Sequence, residues 1–226
     1  MTSTQIIAIV IFLVTMAAIM TEKLHRTVAA VAGALLLILT GVLSVESGFS
    51  YVDLNTLGVL IGMMLFVAVV KNSGIFEYIA IKAAKIAKGR PWPLMVLFAL
   101  ITAVLSAFLD NVTTVLLIGP MTLAITSMLR INPIPFFMTQ IMASNIGGTA
   151  TLIGDPPNIM IGSAAGLSFT DFITNTGVAV LFVLAATIVC FYFIYGRKLH
   201  VEPEAMDSIL QLDENKAIKD RSLLIK

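Results

Sequence analysis

A single carboxylate stands in the middle of a long apolar stretch of this sequence. Between Arg90 and Arg130 lie 39 residues, of which Asp110 is the twentieth and the only charged one. Asn111 follows it directly, so a carboxylate and an amide are adjacent at the centre of the stretch. Carboxylates inside membrane segments are costly to bury and usually belong to functional sites. Three nearby hydroxyls would add hard oxygen ligands for a cation: Ser106, Thr113 and Thr114.

A second polar stretch, Ser144–Asn158, interrupts another apolar segment and carries a second carboxylate. Its sequence is SNIGGTATLIGDPPN, in which the paired glycines allow close approach of the backbone. Its candidate binding residues are Asn145, Gly147, Gly148, Thr149, Thr151, Asp155 and Asn158, and its candidate loop-shaping residues are Pro156 and Pro157. We interpret the two stretches as the two walls of one solute or ion site.

Structural roles are open for the same residues. Asp110 and Asn111 could cap a helix that begins after them, and Asp155 could belong to a rigid proline turn. Thr113 and Thr114 could satisfy the backbone of their own helix. A cap at membrane depth would still face a cavity, so the two roles are compatible. Either carboxylate could also carry a transported proton, because burial favours its neutral form.

The composition is that of a membrane protein. The 226 residues are 58% hydrophobic and 12% charged, with a mean hydropathy of +1.00, which is too apolar for an ordinary soluble domain. A net charge of +1 gives no electrostatic support for a nucleic-acid partner. Cys190 is the only cysteine, and no nucleophile–base pair, nucleotide loop or metal cluster is evident, so we expect neither an enzyme nor a resident cofactor.

Apolar runs divide the chain into membrane segments, each close to the roughly 20 residues that cross a ~30 Å hydrocarbon core. Full spans are predicted at 5–21, 27–43, 54–70 and 172–195. The segment 75–88 has lysines at every third position of its second half, which predicts an amphipathic helix in the membrane interface. Residues 201–226 form a polar tail that we expect to be partly helical.

The segment 94–129 can fold in two ways. Two full spans would place their turn at DNVTT, which contains neither glycine nor proline. The other arrangement is a re-entrant hairpin, whose two shorter helices enter and leave on the same side. Its first arm, 94–109, would be about 24 Å long at ~1.5 Å per residue and would leave Asp110 within the membrane. Such a turn is tolerated only where protein or a watery cavity surrounds it.

The segment 136–165 is predicted to be one crossing that is broken in its middle. Helix becomes improbable from Gly147 and Gly148 onward, because glycine is a poor helix former and Pro156–Pro157 disfavours a helical Asp155. Half-helix ends expose free backbone groups: amides attract anions, and carbonyls coordinate cations. The sequence therefore predicts an all-α, polytopic membrane protein with two interrupted segments.

Charges predict the orientation. With this division of the chain, all 14 lysines and arginines fall on one side of the membrane, and the loops 44–53 and 166–171 contain none. By the positive-inside rule we expect a multi-pass protein of the cell membrane with its N-terminus outside and its tail in the cytoplasm. Two full spans in place of the hairpin would leave the later loops and the tail on the same sides of the membrane.

The motifs SAFLDNVTT, LLIGPMT and SNIGGTATLIGDPPN resemble those of the ion transporter superfamily, and most of all its arsenite permease and pink-eyed-dilution P-protein branch. The resemblance also covers HRTVAAVAGAL and the third span, and so extends over nearly the whole chain. It implies a citrate transporter-like fold of two inverted repeats, each with a re-entrant hairpin and a broken helix. It therefore favours the hairpin for 94–129.

The resemblance also implies site residues. In dicarboxylate-transporting relatives the hairpin tip carries a Ser-Asn-Thr motif that binds sodium and a substrate carboxylate. Asn111 matches its Asn, whereas Asp110 and Val112 replace its Ser and Thr. The added charge favours a cation, a proton or a neutral solute over an anion. The implied Na⁺ site consists of Ser106, Asp110, Asn111 and Gly148, completed by the loop of Gly147, Thr149 and Thr151.

Family members carry a second, inverted half, and this sequence contains one set of motifs. We therefore expect a transporter half that needs a second half or another copy as its partner. The leading hypothesis is secondary active transport of an inorganic ion or small solute, by symport or antiport with H⁺ or Na⁺. The alternative is a membrane assembly or binding subunit that does not transport by itself. Arsenite, sodium and protons, dicarboxylates and citrate are all open as substrates.

Overall fold

The computed structural model describes residues 2–212 and 214–218, and the regular elements within them are all helices. No strand occurs in these residues, and the prediction of an all-α polytopic membrane protein is confirmed. The chain forms two compact units, one up to Leu54 and one from Asn55 onward.

The first unit contains α1 (Ser3–Met20), α2 (Arg26–Leu39) and the short α3 (Val45–Ser50). Side chains of Thr2, His25 and Ser44 accept a backbone N–H at the start of the three helices, and thereby satisfy amides that have no partner within the helix. α1 and α2 pack against each other. α3 occupies the segment 44–53, for which the sequence predicted only a loop.

The second unit contains two interrupted segments. Its first helices are α4 (Leu54–Asn72), α5 (Ile75–Ile86), α6 (Pro91–Ser106), α7 (Asn111–Met128), α8 (Ile134–Gly148) and α9 (Pro156–Ala165). α6 and α7 form a helical hairpin that turns at residues 107–110. α8 and α9 are separated by a non-helical segment, 149–155, which is hereafter called the break.

A long helix and the start of the tail complete the second unit. The long helix consists of α10 (Phe169–Phe172), a π-helical turn (Ile173–Gly177), α11 (Val178–Phe191) and a second π-helical turn (Tyr192–Gly196). The tail contains α12 (Pro203–Leu210) and a 3₁₀ turn (Glu214–Ala217). Of the predicted tail, residues 213 and 219–226 lie outside the described part of the chain.

Four helices of the described residues are long and apolar enough to cross a membrane: Ser3–Met20, Leu54–Asn72, Asn111–Met128 and Phe169–Gly196. They correspond to the predicted spans 5–21 and 54–70, to the second arm of the predicted hairpin, and to the span 172–195. α2 and α6 are apolar but shorter. α2 ends at Leu39, before the predicted end of this span at residue 43. The chain turns at Gly41, which has a φ of 71°.

The core of the second unit lies between α6, α7 and α8. α6 and α8 run in the same direction and α7 runs against both, because the hairpin turn and the loop 129–133 each reverse the chain. Phe98 on α6 and Phe136 on α8 are wholly buried in one apolar cluster, together with Ile125 of α7. Lipid is as apolar as these side chains, so close packing rather than removal from water holds the three helices against one another.

The tail covers one end of these helices. Ile209 of α12 is wholly buried in the same cluster as Ala84 of α5. Lys85 donates to a carboxylate oxygen of Glu214 at 2.5 Å. The buried face of α5 is therefore covered by protein. Of the lysines in the predicted interfacial stripe, Lys82 and Lys88 are exposed, and Lys85 is half-buried beside the tail.

Candidate functional site

Asp110 ends the hairpin turn and caps α7. Its backbone is extended, and its Oδ1 accepts the backbone N–H of Thr113 at 2.8 Å. The hydroxyl of Thr114 donates to the backbone carbonyl of Asp110 at 2.9 Å. The predicted turn residues 111–114 are thus the first turn of a helix, since the chain reverses at 107–110 instead. The cap bond uses only one of the two carboxylate oxygens of Asp110.

Hydrogen bonds join the hairpin to α8. The Ser106 hydroxyl donates to the carbonyl of Ser144 at 2.7 Å, and both residues are buried. The amide of Asn111 donates to Oδ1 of Asn145 at 2.9 Å. Because the Asn111 nitrogen is the donor, its own side-chain oxygen stays free to accept a proton donor or a cation. The two predicted walls of the site therefore contact each other.

The break is tied to the hairpin turn as well. The hydroxyl of Thr151 donates to the carbonyl of Ala107 and accepts the backbone N–H of Gly154 at 3.1 Å. The amide of Asn158 donates to the carbonyls of Gly148 and Thr151, at 3.3 and 2.9 Å. These bonds satisfy carbonyls that the end of α8 leaves without helical partners.

The prediction that helix ends before Gly147 is wrong. α8 continues through Gly147 and Gly148, and the break starts at Thr149. A Cβ on Gly147 would lie 2.1 Å from the carbonyl oxygen of Ala103 in α6, so only glycine allows the two helices to touch here. This tertiary packing outweighs the low intrinsic helix propensity of glycine, which costs only about 1 kcal/mol.

Asp155 lies directly over Gly148. A Cβ on Gly148 would lie 2.9 Å from both carboxylate oxygens of Asp155. Asp155 precedes α9, whose first residues are Pro156 and Pro157, but its side chain makes no capping bond. Its Oδ1 is buried and has no hydrogen-bond partner among the described residues. The site therefore holds two carboxylates with unused oxygens.

A cavity of about 330 Å³ lies beside these groups. Asp110, Asn111 and Thr113 line it from the hairpin, Ile153 from the break and Pro156 from the start of α9, and α4 contributes Leu60, Met63 and Met64. No lysine or arginine is among the residues that line it. The cavity is thus apolar with oxygen ligands at one end, which suits a cation or a neutral solute better than an anion.

The remaining predicted residues divide into two groups. Asn145 contacts the hairpin, whereas the Thr149 hydroxyl donates to the Asn145 carbonyl at 2.9 Å and its side chain is exposed. Thr114 is buried and bonds its own helix. Thr149 and Thr114 therefore act locally on the backbone in this conformation, as the structural alternative predicted.

Sequence reasoning missed the π-helical turn of the long helix. Side chains of Thr174, Asn175 and Thr176 donate to the carbonyls four residues earlier, at 2.9, 2.8 and 2.6 Å. Thr176 also approaches the carbonyl of Ala150, in the break, at 3.4 Å. The signal that could have revealed this contact is the run of three polar residues in an apolar span. π-helical turns often occur at functional sites.

Comparison with known proteins agrees with this architecture. The chain matches the citrate transporter family over residues 16–226. It is 41% identical over 226 residues to an uncharacterised transporter of Mycobacterium bovis, covering 98% of this chain and 52% of that protein. A 46 kDa membrane protein of Mycobacterium leprae is 42% identical, with 98% and 53% covered. The chain therefore spans about half the length of these relatives.

The P protein of Homo sapiens is also similar. It is 38% identical over 198 residues, which cover 81% of this chain and 23% of that protein. The resemblance to the branch that contains the P protein is thereby confirmed. A match over nearly the whole chain, together with the apolar helices and the two interrupted segments, establishes that this membrane protein belongs to the citrate transporter family.

Proposed function

We propose that this chain forms one half of a secondary active transporter that moves an inorganic ion or a small solute, driven by H⁺ or Na⁺. The observation that carries the proposal is the pair Asp110 and Asp155. Each carboxylate stands at an interruption of a membrane segment, and the hydrogen bond between Asn111 and Asn145 joins the elements that present them. Two like charges in apolar surroundings are stabilised by a shared cation or proton.

A sodium ion would find oxygen ligands at the hairpin tip. The free oxygens are the second carboxylate oxygen of Asp110, the side-chain oxygen of Asn111 and the lone pairs of Ser106. The carbonyl of Gly148 is occupied only by the long 3.3 Å bond from Asn158. These donors fit a hard cation. A proton would instead be held by Asp155, whose Oδ1 has no partner among the described residues.

The residues that line the cavity limit which solutes are candidates for transport. Its polar lining consists of the Asp110 carboxylate, the Asn111 amide and the Thr113 hydroxyl, and the residues that line it include no basic side chain to neutralise an anion. A cation, a proton or a neutral species such as arsenite therefore fits better than a dicarboxylate or citrate. A tricarboxylate would need positive charge from a second half, from a bound cation, or from both.

The proposed topology makes the hairpin re-entrant. α6 has 16 residues and would span about 24 Å, which is less than a ~30 Å hydrocarbon core. The hairpin tip would then lie at membrane depth, beside the break. By the positive-inside rule, the basic residues favour a topology with the ends of the hairpin and the tail in the cytoplasm and the N-terminus outside.

The test is ion-driven flux in proteoliposomes that carry the protein purified from its own membrane. Asp110→Asn and Asp155→Asn remove one charge each with little change of shape. We expect each to reduce coupled flux by at least about tenfold, as for the loss of a buried charged partner worth about 1.5–3 kcal/mol. Asp171→Asn is the matched control, because Asp171 is an exposed carboxylate that only caps α10 through Ser168.

Full coupled flux in both site variants would contradict the proposal. Co-purification of a stoichiometric partner, with flux only when both chains are present, would instead identify the chain as a subunit that does not transport by itself.

A further inference from the structure

A separate cavity, of about 500 Å³, lies between α8 and the long helix. The end of α8 and the first residue of the break line it on one side, and the π-helical turn and the first part of α11 line it on the other. Its polar lining residues are Asn145, Thr149, Asn175 and Thr176, and we call it the amide cavity. Small-molecule sites in proteins have volumes of about 300–1,000 Å³, so the amide cavity is large enough for a solute.

The polar lining of the amide cavity does not suit contact with lipid. Asn175 and Thr176 belong to the long helix, which is long and apolar enough to cross a membrane. The side chains of Asn145, Thr149 and Asn175 are exposed on the surface of the chain. Hydrocarbon forms no hydrogen bonds, so polar groups in membrane segments face protein or a water-filled cavity. The amide cavity is therefore a place for water or a polar solute.

Most side-chain hydrogens in this lining are already engaged. The hydroxyls of Thr149 and Thr176 each donate to the carbonyl four residues earlier, at 2.9 and 2.6 Å. The amide of Asn175 does the same at 2.8 Å, and it also donates to the Thr174 hydroxyl at 3.4 Å. A threonine has one donor hydrogen and an asparagine side chain has two. These three lining side chains therefore have no hydrogen left to donate to a ligand.

The oxygens of the same side chains are open. Among the described residues, no group donates to the hydroxyl oxygens of Thr149 and Thr176 or to the side-chain oxygen of Asn175. The side-chain oxygen of Asn145 accepts one hydrogen bond, from Asn111, and has a second lone pair. One amide hydrogen of Asn145 is also unused, because the other donates to a backbone carbonyl of its own helix. The described side chains of the lining thus offer four acceptor oxygens and a single spare donor.

The absence of charge narrows the chemistry further. None of the residues that line the amide cavity is charged, and Ile146 and Val180 give it an apolar wall. A cation would have no counter-charge there, and burying an unpaired charge is costly. An anion would meet the lone pairs of the acceptor oxygens. An uncharged solute that donates several hydrogen bonds is complementary to both features.

We propose that the amide cavity binds the transported solute, and that this solute is a small uncharged molecule with several O–H or N–H donors. The proposal rests on the proposed function and separates two tasks, since the coupling cation or proton binds at Asp110 and Asp155. The hydrogen bond between Asn111 and Asn145 connects the two places. Asn111 lines the cavity beside Asp110, and Asn145 lines the amide cavity.

Cysteine accessibility tests whether the amide cavity contains water. Thiols react with N-ethylmaleimide as thiolates, which form in water and not in contact with lipid. In a Cys190→Ser background, and in membranes that contain the whole protein, Ala179→Cys places a thiol in the lining of the cavity. Leu181→Cys is the matched control, because it lies about 200° further around the same helix. We expect Ala179→Cys to be labelled at least about tenfold faster, as for a thiol that ionises more readily.

Protection from labelling tests the chemistry of the solute. Boric acid is a planar, uncharged molecule at neutral pH and carries O–H donors, whereas nitrate is a planar anion whose oxygens only accept. We expect boric acid to slow the labelling of Ala179→Cys several-fold and nitrate to leave it unchanged. Thr149→Val removes one acceptor and should raise the boric acid concentration needed for protection about fivefold, as for one lost hydrogen bond. Thr187→Val removes a hydroxyl of α11 that bonds its own helix outside the cavity, and should change nothing.

Each measurement can contradict the proposal. Equal labelling rates for Ala179→Cys and Leu181→Cys would show that the amide cavity is not aqueous. Protection by nitrate, no protection by boric acid, or unaltered protection in Thr149→Val would overturn the assigned solute chemistry. None of these measurements requires transport. Loss of coupled flux in Asp110→Asn, together with no protection of Ala179→Cys, would therefore support the proposed function and reject this site.

Discussion

Asp155 lies against a residue that has no side chain. Because Gly148 leaves its Cβ position empty, the carboxylate can rest over the end of α8 within van der Waals contact. The same absence at Gly147 lets α8 touch the backbone of α6. Glycine serves here to bring backbones and charges together, whereas at Gly41 and Gly166 it allows a positive φ.

Replacing Gly147 with alanine should destabilise the protein strongly. The new Cβ would lie 2.1 Å from the Ala103 carbonyl oxygen, and both atoms belong to helices that cannot yield separately. We expect a loss of about 3 kcal/mol, typical of severe overpacking, measured as a lower midpoint of thermal unfolding in detergent. Gly58→Ala is the matched control, since nothing lies within 4 Å of its Cβ position in α4. It should be neutral or stabilise by up to about 1 kcal/mol.

Single residues of the site were predictable from context alone. Asp110 and Asp155 are conspicuous because charge is rare in apolar segments, and this signal needs no structure. The bond between Asn111 and Asn145 was not predictable, because it joins residues 34 positions apart and depends on how α7 and α8 pack. The buried hydroxyls and amides of these helices were not singled out either, because isolated polar side chains in apolar helices usually only satisfy the backbone.

Among the elements, the break and the hairpin were predictable within a few residues, and their exact ends were not. Proline and glycine mark where a helix can stop, but tertiary packing decides which of several allowed residues is the last one. The π-helical turn at Ile173–Gly177 could not be predicted from the spacing of apolar residues. A helix that is apolar on all sides shows no periodicity, so one extra residue in a turn changes nothing in the pattern. Only its bonds from Thr174, Asn175 and Thr176 explain its stability.

The tail element should respond to pH through Glu214. The hydrogen bond from Lys85 holds the pKa of Glu214 below its ordinary value of 4.5. A carboxyl whose pKa is lowered on folding stabilises the folded state above that ordinary value, and the contribution is lost as the pH falls through the lowered one. We therefore expect the tail to detach more readily below about pH 4.5. Hydrogen exchange in residues 203–217 would report this as faster exchange.

Glu214→Gln supplies the control for this measurement. The variant should exchange faster than the unaltered protein at pH 7 and should lack its acid-dependent increase. The effect is expected to be modest, because solvent screens a partly exposed ion pair. Identical pH profiles for the two proteins would show that Glu214 does not hold the tail.

For the whole molecule, charge predicts orientation but not the depth of the hairpin tip. Both a re-entrant hairpin and two full spans return the chain to the same side, so loop charges cannot distinguish them. The length of α6 favours the re-entrant hairpin, because this helix is too short to cross the membrane fully. The family match agrees with a transporter. In the two mycobacterial relatives, however, the matched part is only about half of the protein.

Cysteine labelling would measure both orientation and depth. Cys190 is the only cysteine, so Cys190→Ser gives a background without thiols. A membrane-impermeant maleimide applied to intact cells should label Ser47→Cys and not Asn132→Cys, and inverted vesicles should reverse the result. Phe108→Cys, in the hairpin turn, should react from outside much more slowly than Ser47→Cys. Equal rates at these two positions would indicate that the hairpin crosses the membrane fully.

The contact between Gly147 and Ala103 also bears on motion. Helices that touch through their main chains, with hydroxyl and amide bonds on either side, cannot part without exposing groups that no lipid can satisfy. We therefore expect the hairpin, α8 and the break to move as a single rigid body. In the transport cycle that we propose, a bound solute would stay between the same atoms while the surroundings of those atoms change.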